Sequence, residues 1–157
     1  MERHGDANTP SVVVDYAHTP NALHSALQAL RAHLGDAGKL WCIFGCGGER
    51  DTGKRAEMAN AAEQLADYIV VTDDNPRHES AEQIRQQILA GFSTKVEPME
   101  IGDRREALAT VIQKASAQDV VLIAGKGHEN YQEIQGVRHP YADSEEIQRA
   151  FALRSAQ

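Results

Sequence analysis

The sequence predicts an α/β domain of the Rossmann-like, three-layer kind: a mostly parallel sheet with helices on both faces and a C-terminal β-hairpin. Short apolar runs rich in Val and Ile alternate along the chain with longer stretches whose apolar residues recur at helical spacing. The short runs are apolar at nearly every position, which is typical of strands covered on both sides of a parallel sheet. In such sheets ligands bind beyond the carboxyl ends of the strands.

Strands are predicted where the apolar runs occur. Four clear strands span residues 11–15, 40–44, 68–72 and 119–124, and a weaker candidate spans 96–101. A β-hairpin is predicted from residues 131–134 and 137–141, which are joined around Gln135-Gly136. The hairpin therefore follows the last strand of the sheet.

Five helices are predicted between and after these strands. Pro20 suits the first turn of a helix, and Gly35 and Gly38 follow its last apolar residue. Ser80 is expected to cap a helix that runs to about Leu89. The other helices are predicted at residues 54–65, 104–115 and 143–153.

Length and composition indicate one globular domain and argue against several functions. The 157 residues carry a net charge of −7, with 16 Lys and Arg against 23 Asp and Glu, which disfavours nucleic-acid binding. No apolar run approaches the roughly 20 residues of a membrane helix, and residues 1–10 do not resemble a signal or transit peptide. We expect one domain over 1–157, with 1–10 as its boundary segment, in a cytoplasmic protein without membrane or nucleic-acid partners.

The cysteines do not predict a metal site. Cys42 and Cys46 are the only two, so a four-thiolate zinc site is impossible, and no His residues at suitable spacing accompany them. We expect both thiols to be reduced and structural.

Polar residues cluster directly after four of the predicted strands. These loops cover residues 15–21, 45–55, 73–79 and 125–129. Because parallel strands end at the same edge of a sheet, the four loops should converge there. Their basic residues are single ones in loops that contain Gly or Pro, which is typical of a site for a small anion.

The loop after the second strand is rich in glycine. Gly45, Gly47 and Gly48 allow backbone N–H groups to approach an anion closely, and Arg50 follows them. The spacing matches neither a P-loop nor a dinucleotide fingerprint. The alternative is that the glycines merely turn the chain and that Arg50 is a solvated surface residue.

The turn Asp73-Asp74-Asn75-Pro76-Arg77 is more informative. Pro76 disfavours a helical conformation at Asn75, so the segment is predicted to be a stiff turn. A stiff turn that ends in arginine can present a guanidinium fork to a carboxylate. The alternative is that Arg77 pairs locally with Asp73, Asp74 or Glu79.

The two remaining loops offer different groups. In the loop 125–129, Glu129 can hold an ammonium group, and Arg50 and Arg77 nearby would suit a zwitterion with more than one carboxylate. His128 could take part in acid–base chemistry, but a structural role is favoured because no nucleophile accompanies it. The loop 15–21 combines a carboxylate, an aromatic ring and hydrogen-bonding groups that would suit a sugar diol and a planar base.

Together the four loops resemble the C-terminal domain of the Mur ligases, most closely the members that add diaminopimelate. The matching segments are Val12–Pro20, Phe44–Arg55, Val71–Arg77 and Ala124–Glu129. The four motifs occur in the same order and at matching separations, and the likeness runs from Met1 nearly to the C-terminus.

The resemblance implies a part in peptidoglycan synthesis that uses ATP and Mg²⁺. In this family the D-glutamate carboxyl of UDP-MurNAc-L-Ala-D-Glu becomes an acyl phosphate. The amine of the incoming amino acid then attacks, and an amide forms with loss of phosphate. The C-terminal domain supplies the amino-acid site and part of the adenosine site, and no residue of this chain is expected to be catalytic.

The resemblance also implies roles for individual residues. The carboxylates of meso-diaminopimelate would be received by Arg50 and by the turn formed by Asp74, Asn75, Pro76 and Arg77, and the distal ammonium group by Gly125 and Glu129. Asp15, Tyr16, His18 and Asn21 would lie on the adenosine side. Members that add lysine usually lack an arginine at the position of Arg77, so diaminopimelate is the expected substrate.

Other interpretations stay open at this point. A muropeptide or folylpolyglutamate-type ligase would share the fold, although the Asp-Asn-Pro-Arg turn followed by Glu79 speaks against both. A non-catalytic amino-acid- or nucleotide-binding module is another possibility, and loop spacing disfavours a dinucleotide-binding oxidoreductase. The family's P-loop, UDP-sugar region, Mg²⁺ ligands and carbamylated lysine have no match here. We therefore expect a fragment of a three-domain enzyme that folds but is inactive alone.

Overall fold

The computed structural model describes residues 1–156 and confirms the predicted alternation of strands and helices. The elements are β1 (Glu2–His4), β2 (Ser11–Asp15), α1 (Pro20–His33), β3 (Leu40–Phe44), α2 (Gly53–Leu65), β4 (Tyr68–Val71), α3 (Ala81–Leu89), β5 (Met99–Glu100), α4 (Arg104–Lys114), β6 (Val120–Ala124), β7 (Tyr131–Ile134), β8 (Val137–Pro140) and α5 (Asp143–Ser155). Thr19 and Ser80 cap α1 and α3 through their side-chain oxygens.

Six strands form one sheet in the order β1-β2-β6-β3-β4-β5, and β7 and β8 form a separate hairpin. All neighbouring pairs of the sheet are parallel except β1 with β2. The central strand β6 aligns Val121 with Val12 on one side and with Trp41 on the other. The carboxyl ends of β2, β6, β3 and β4 therefore meet at one edge of the sheet.

Helices cover both faces of the sheet, which completes the three predicted layers. On one face, apolar residues of α1, α2 and α3 pack against side chains such as Val13, Phe44 and Leu122. On the other face, α4 and α5 pack against the alternate residues, among them Ile43 and Ile123. Because consecutive strand residues face opposite layers, strands buried on both sides are apolar at every position.

Two edge strands differ from the prediction. The segment 1–10, expected only as a boundary, contains β1, which pairs antiparallel with residues 12–14 of β2. An edge strand can form through one ladder of backbone hydrogen bonds. This pairing makes a strand of Glu2, Arg3 and His4 although they have no apolar pattern. The weak strand predicted at 96–101 is reduced to Met99–Glu100. No helix in the described part of the chain is long and apolar enough to cross a membrane.

A buried ion pair holds the carboxyl edge of the sheet together. Arg104, the first residue of α4, donates two 2.9 Å hydrogen bonds to the Asp143 carboxylate at the start of α5. The same guanidinium donates to the carbonyl oxygens of Asp73 and Ala124, at 3.3 and 3.2 Å. Tyr141 donates a third hydrogen bond to Asp143 at 2.7 Å. These contacts tie Asp73, just after β4, and Ala124, the last residue of β6, to the first residues of α4 and α5.

Candidate functional site

A cavity of about 450 Å³ lies at the carboxyl edge of the sheet, and all four predicted loops line it. This confirms the expected convergence of the loops. Eight of the eleven residues predicted for the site line the cavity, namely Tyr16, His18, Arg50, Asp74, Asn75, Arg77, Gly125 and Glu129. Of the other three, Pro76 is buried in the turn and does not line the cavity, Asp15 ends β2, and Asn21 lines a different groove.

Arg50 and Arg77 both lie close to Gly47, and both line the cavity. A side chain at Gly47 would come within 2.8 Å of Arg77 Nη1 and 3.6 Å of Arg50 Cγ. Arg50 is exposed, and its Nη1 donates only to the Glu49 carbonyl oxygen, at 3.1 Å. No acidic side chain of residues 1–156 forms an ion pair with Arg50. The two arginines therefore present positive charge to the same end of the cavity.

Arg77 does not form the local ion pairs considered as an alternative. Asp73 pairs with Arg85 at 2.6 Å, and Glu79 pairs with Arg55 at 2.7 Å. Arg77 instead donates from Nη1 to the Gly48 carbonyl oxygen at 2.9 Å, and its Nε lies 4.0 Å from Glu133 Oε1. Only part of its guanidinium is occupied by these contacts.

The hairpin holds the backbone of Arg77 in an unusual conformation. Arg77 has a φ of +56°, in the left-handed region that residues other than glycine rarely adopt. Its N–H donates to the Glu133 carbonyl oxygen at 3.0 Å, and its own carbonyl oxygen accepts from Gln135 N–H at 2.6 Å. Two backbone hydrogen bonds to the hairpin therefore set the direction in which the Arg77 side chain leaves the turn.

The glycine loop and the Asp-Asn-Pro-Arg turn are bonded directly to each other. Gly48 N–H donates to the Asn75 carbonyl oxygen at 2.8 Å, and a side chain at Gly48 would overlap the carbonyl oxygen of Pro76. Arg55 is buried in α2 and donates to both Glu79 oxygens and, at 3.0 Å, to the Gly47 carbonyl oxygen. The two arginine-bearing loops are thus one bonded unit.

Two carboxylates, Asp74 and Glu129, also line the cavity, and Lys126 joins them into one cluster, here called the acidic end of the cavity. Glu129 accepts hydrogen bonds from Tyr16 Oη at 3.1 Å and from Asn75 Nδ2 at 3.2 Å. The negative charge of Glu129 raises the pKa of Tyr16, so the tyrosine stays a donor. Asp74 is buried, and its Oδ1 accepts no well-directed hydrogen bond in the described structure, although Lys126 Nζ lies 3.1 Å away. Asp74 Oδ1 is thus held inside the fold beside Lys126, and Glu129, which is partly exposed in the cavity, is the carboxylate that an ammonium group of a ligand can reach.

The residues predicted for the adenosine side are divided between two places. Tyr16 is about half exposed, at 51%, and its ring meets that of His18 edge-on at 6.0 Å in the main cavity. Asp15 accepts from Ala17 N–H at 3.0 Å. Asn21 lines a separate groove between α1 and α2. The loop after β2 therefore offers two aromatic rings beside the cavity.

His128 and the two cysteine side chains show no sign of a chemical role. His128 is exposed, does not line the cavity, and places Nδ1 3.4 Å from Glu2 Oε2. Cys46 does line the cavity, but burial raises the pKa of its thiol to about 12, so it stays protonated and unreactive. Both cysteines are free thiols. Within residues 1–156 no group of three His, Cys, Asp or Glu is placed to hold a metal ion.

Three buried cations that support the site were missing from the predicted set: Arg55, Arg104 and Lys126. A signal for Arg55 exists in the sequence, because it precedes Met58, Ala59 and Ala62 by three, four and seven positions and so shares the apolar face of α2. Lys126 lies in the predicted loop 125–129, and its complete burial there has no local signal in the sequence.

Comparison with known proteins shows the family. The chain matches the family model of the Mur ligase, glutamate ligase domain, over residues 1–127, and it belongs to this family. It is 54% identical over 152 residues to the UDP-N-acetylmuramoyl-L-alanyl-D-glutamate–2,6-diaminopimelate ligase of Pseudomonas aeruginosa, covering 97% of this chain and 31% of that protein. For the enzyme of the same name from Xylella fastidiosa the values are 55% over 153 residues, 98% and 30%.

Solved structures agree with this assignment. A structure of UDP-N-acetylmuramoyl-L-alanyl-D-glutamate–2,6-diaminopimelate ligase superposes with a TM-score of 0.93 at 46% identity, over 99% of this chain and 31% of that one. A murein peptide ligase of Psychrobacter arcticus and a bifunctional folylpolyglutamate synthase each reach a TM-score of 0.62 at 22% identity, which shows the fold alone. The chain spans about a third of the length of the diaminopimelate ligases that it matches.

Proposed function

We propose that this chain is the amino-acid-binding domain of a ligase that adds meso-diaminopimelate to UDP-MurNAc-L-Ala-D-Glu in peptidoglycan synthesis. The observation that carries the proposal is that two arginines and two carboxylates, Arg50, Arg77, Asp74 and Glu129, line one cavity, with the arginines together beside Gly47 and the carboxylates together around Lys126. The names of the relatives at more than 50% identity support the same reaction.

In this proposal the cavity orients the far end of the amino acid. The distal carboxylate meets Arg77, and Arg50 adds a second positive charge at the same end. The distal ammonium group meets Glu129 beside Gly125, where the left-handed backbone, at φ +115°, leaves no side chain in the way. Fixing both distal groups leaves the other amine directed out of the cavity, toward the activated carboxyl of the second substrate.

Discrimination against lysine follows from the same contacts. Lysine lacks the distal carboxylate, so the part of the Arg77 guanidinium that Gly48 and Glu133 leave free would stay without a partner. Leaving such a group unpaired costs about 1–3 kcal/mol, which corresponds to roughly ten- to hundred-fold in kcat/KM. Arg77 is thus the proposed specificity residue.

ATP and Mg²⁺ are the proposed cofactors of the whole enzyme. ATP would supply the energy to activate the D-glutamate carboxyl as an acyl phosphate. The fit of this chain to a nucleotide is limited to one wall: the rings of Tyr16 and His18 are available to a planar base. We assign Mg²⁺ and the UDP-linked substrate to the other domains of the ligase, and we place the reaction in the cytoplasm.

The decisive experiment uses the complete ligase that carries this domain, with diaminopimelate and lysine as competing substrates. Wild-type ligase should use diaminopimelate, and Arg77→Ala should lower kcat/KM for diaminopimelate at least ten-fold while leaving the KM for ATP within two-fold. Arg149→Ala, which removes an exposed arginine on α5, is the matched control and should change neither value. Unchanged kcat/KM for diaminopimelate in Arg77→Ala would show that the carboxylate binds elsewhere.

A second candidate, a module that only binds an amino acid or a nucleotide, can be tested on the 157-residue chain alone. Titration calorimetry with diaminopimelate, lysine and ADP measures any such binding directly. Under the ligase proposal the chain alone forms no amide from ATP, because the substrate site is completed by the other domains. Turnover by the isolated chain would contradict that proposal.

A further inference from the structure

The side chain of Lys126 is completely buried, although it lies in a loop between Gly125 and Gly127. Its Nζ donates to Asn75 Oδ1 at 2.8 Å and to the Tyr131 carbonyl oxygen at 3.0 Å. It also lies 3.1 Å from Asp74 Oδ1 and 3.5 Å from Glu129 Oε1. One ammonium group therefore contacts both carboxylates of the cavity, the amide of Asn75 and the hairpin.

Stability alone is a weak reason for this arrangement. Burying an ammonium group carries a large desolvation cost, and well-packed apolar residues often replace a buried ion pair without loss of stability. Methionine would fill a similar volume without that cost. The position of the charge, between two carboxylates that line the cavity, points to a role in the site.

The first consequence of the buried charge concerns electrostatics. Asp74 and Glu129 carry two negative charges near one another, and Lys126 compensates one of them. The acidic end of the cavity then has a net charge of about −1, which is complementary to one ammonium group of a ligand. Without Lys126, the two adjacent carboxylates would repel each other, and the acidic end would carry one more negative charge than the ammonium group of a ligand balances.

The second consequence concerns the orientation of Asn75. Its Oδ1 accepts from Lys126 Nζ and from the Glu133 backbone N–H at 2.9 Å. Two donors on the oxygen side force the amide NH₂ toward Glu129 Oε1, to which it donates at 3.2 Å. Lys126 thereby fixes which way the amide faces and, through it, where the Glu129 carboxylate lies.

We propose that Lys126 is a positioning residue that sets the charge and the geometry of the acidic end of the cavity, so that this end accepts one ammonium group of the amino-acid substrate. The inference rests on the proposed function, because it assumes that the substrate brings an ammonium group to Glu129. Lys126 is buried behind the lining residues and acts through Asp74, Asn75 and Glu129.

Other charged and titratable groups also surround Lys126 and belong to its electrostatic environment. The rings of Tyr131 and Tyr141 lie 5.9 and 6.0 Å from Nζ. Burial would raise the pKa of Asp143, but Arg104 outweighs burial, and Lys126 contributes to the net lowering. Tyr16 reaches the same Glu129 carboxylate from the other side. The lost charge would thus be felt most at Asp74 and Glu129, which are nearest.

The test compares Lys126→Met with wild-type in the complete ligase, by steady-state kinetics at neutral pH. Lys126→Met should raise the KM for diaminopimelate at least ten-fold and leave the KM for ATP within two-fold. The split between the two KM values separates an effect on the acidic end from a general loss of activity.

A double variant separates charge from packing. Lys126→Met with Asp74→Asn restores the net charge of the acidic end, so its KM for diaminopimelate should be at least three-fold lower than that of Lys126→Met, whereas a packing defect would leave the KM of the double variant as high as that of the single one. Lys114→Met, which removes an exposed charge at the far end of α4, is the matched control and should behave as wild-type. Thermal unfolding of each variant checks that it is folded.

The possible results are distinguishable. Wild-type ligase that does not use diaminopimelate would contradict the proposed function. Wild-type ligase that does, together with a Lys126→Met variant whose KM for diaminopimelate stays within two-fold or is not lowered by adding Asp74→Asn, would overturn this inference alone.

Discussion

Arg55 and Glu79 form a two-pronged ion pair, with Nη1–Oε2 and Nη2–Oε1 distances of 2.7 and 3.0 Å, that joins α2 to the end of the Asp-Asn-Pro-Arg turn. Glu79 Oε1 also accepts from Glu49 N–H at 2.8 Å, which brings the glycine loop into the same contact. Hydrogen bonds from Arg55 and from the Glu49 backbone lower the pKa of Glu79 from 4.5 to about 2. The arrangement of the two arginine loops therefore depends on the charge of one carboxylate.

This lowered pKa predicts how Glu79 contributes to stability as a function of pH. A carboxyl with a pKa lower in the folded than in the unfolded state stabilises the fold above pH 4.5, and the contribution is lost between pH 4.5 and about 2. Glu79→Gln should therefore lower the free energy of unfolding at pH 7, and its difference from wild-type should shrink as the pH falls through that window. Urea unfolding of the chain at several pH values measures this difference.

Glu57→Gln provides the control for that experiment. Glu57 lies exposed on the same helix as Arg55 and forms no ion pair with residues 1–156. Its substitution should change stability by less than about 0.5 kcal/mol at any pH. An effect of Glu79→Gln that is the same at pH 7 and pH 3 would contradict the assigned role of the ion pair.

Gly48 is predicted to tolerate no side chain. A Cβ there would overlap the carbonyl oxygen of Pro76, so Gly48→Ala must push the glycine loop away from the turn. We expect a loss of about 1–3 kcal/mol of stability, as for other overpacked positions. In the complete ligase the same change should raise the KM for diaminopimelate, because the loop that it displaces carries Arg50.

Gly35→Ala is the matched control for Gly48→Ala. Nothing lies within 4 Å of a Cβ at Gly35, in the connection after α1. Chemical denaturation should therefore show a change of less than about 0.5 kcal/mol. Equal losses of stability for the two substitutions would show that the close contact between Gly48 and Pro76 does not cause the loss in Gly48→Ala.

Arg104 and its sequence neighbour Arg105 are predicted to differ sharply in importance. Arg104→Met leaves the Asp143 carboxylate buried without its partner and should cost about 3–5 kcal/mol. Arg105 also forms an ion pair, with Glu146 at 3.0 Å, but its side chain is 56% exposed, and Arg105→Met should cost at most about 1 kcal/mol. Thermal and urea unfolding measure the stability lost in each variant. Similar losses for Arg104→Met and Arg105→Met would contradict the prediction.

The order of strands and helices was predictable because the apolar pattern is a local property of the sequence. Residues 40–44 and 120–124 are buried at every position, so their continuous apolar runs indicate central strands directly. β1 was not predicted, because Glu2, Arg3 and His4 have no apolar pattern and become a strand only by pairing with β2. Local signals thus predicted the centre of the sheet better than its edges.

The supporting contacts of the site could not be read from the sequence, because their partners are distant along the chain. Arg55 meets Glu79 across 24 residues, Arg104 meets Asp143 across 39, and Lys126 meets Asn75 across 51. Asn21 shows that closeness in the sequence does not ensure closeness in the structure. It follows the same strand as Tyr16, yet the first turn of α1 carries it to a different groove.

The two backbone hydrogen bonds between Arg77 and the hairpin have a consequence for engineering. The direction of the Arg77 side chain is determined by residues more than fifty positions further along the chain, at Glu133 and Gln135. Exchanging the arginine alone would alter the charge at this point but keep a backbone shaped for a long, forked side chain. Converting such a ligase to a different amino acid therefore calls for transplanting the turn together with its hairpin, as one recognition module.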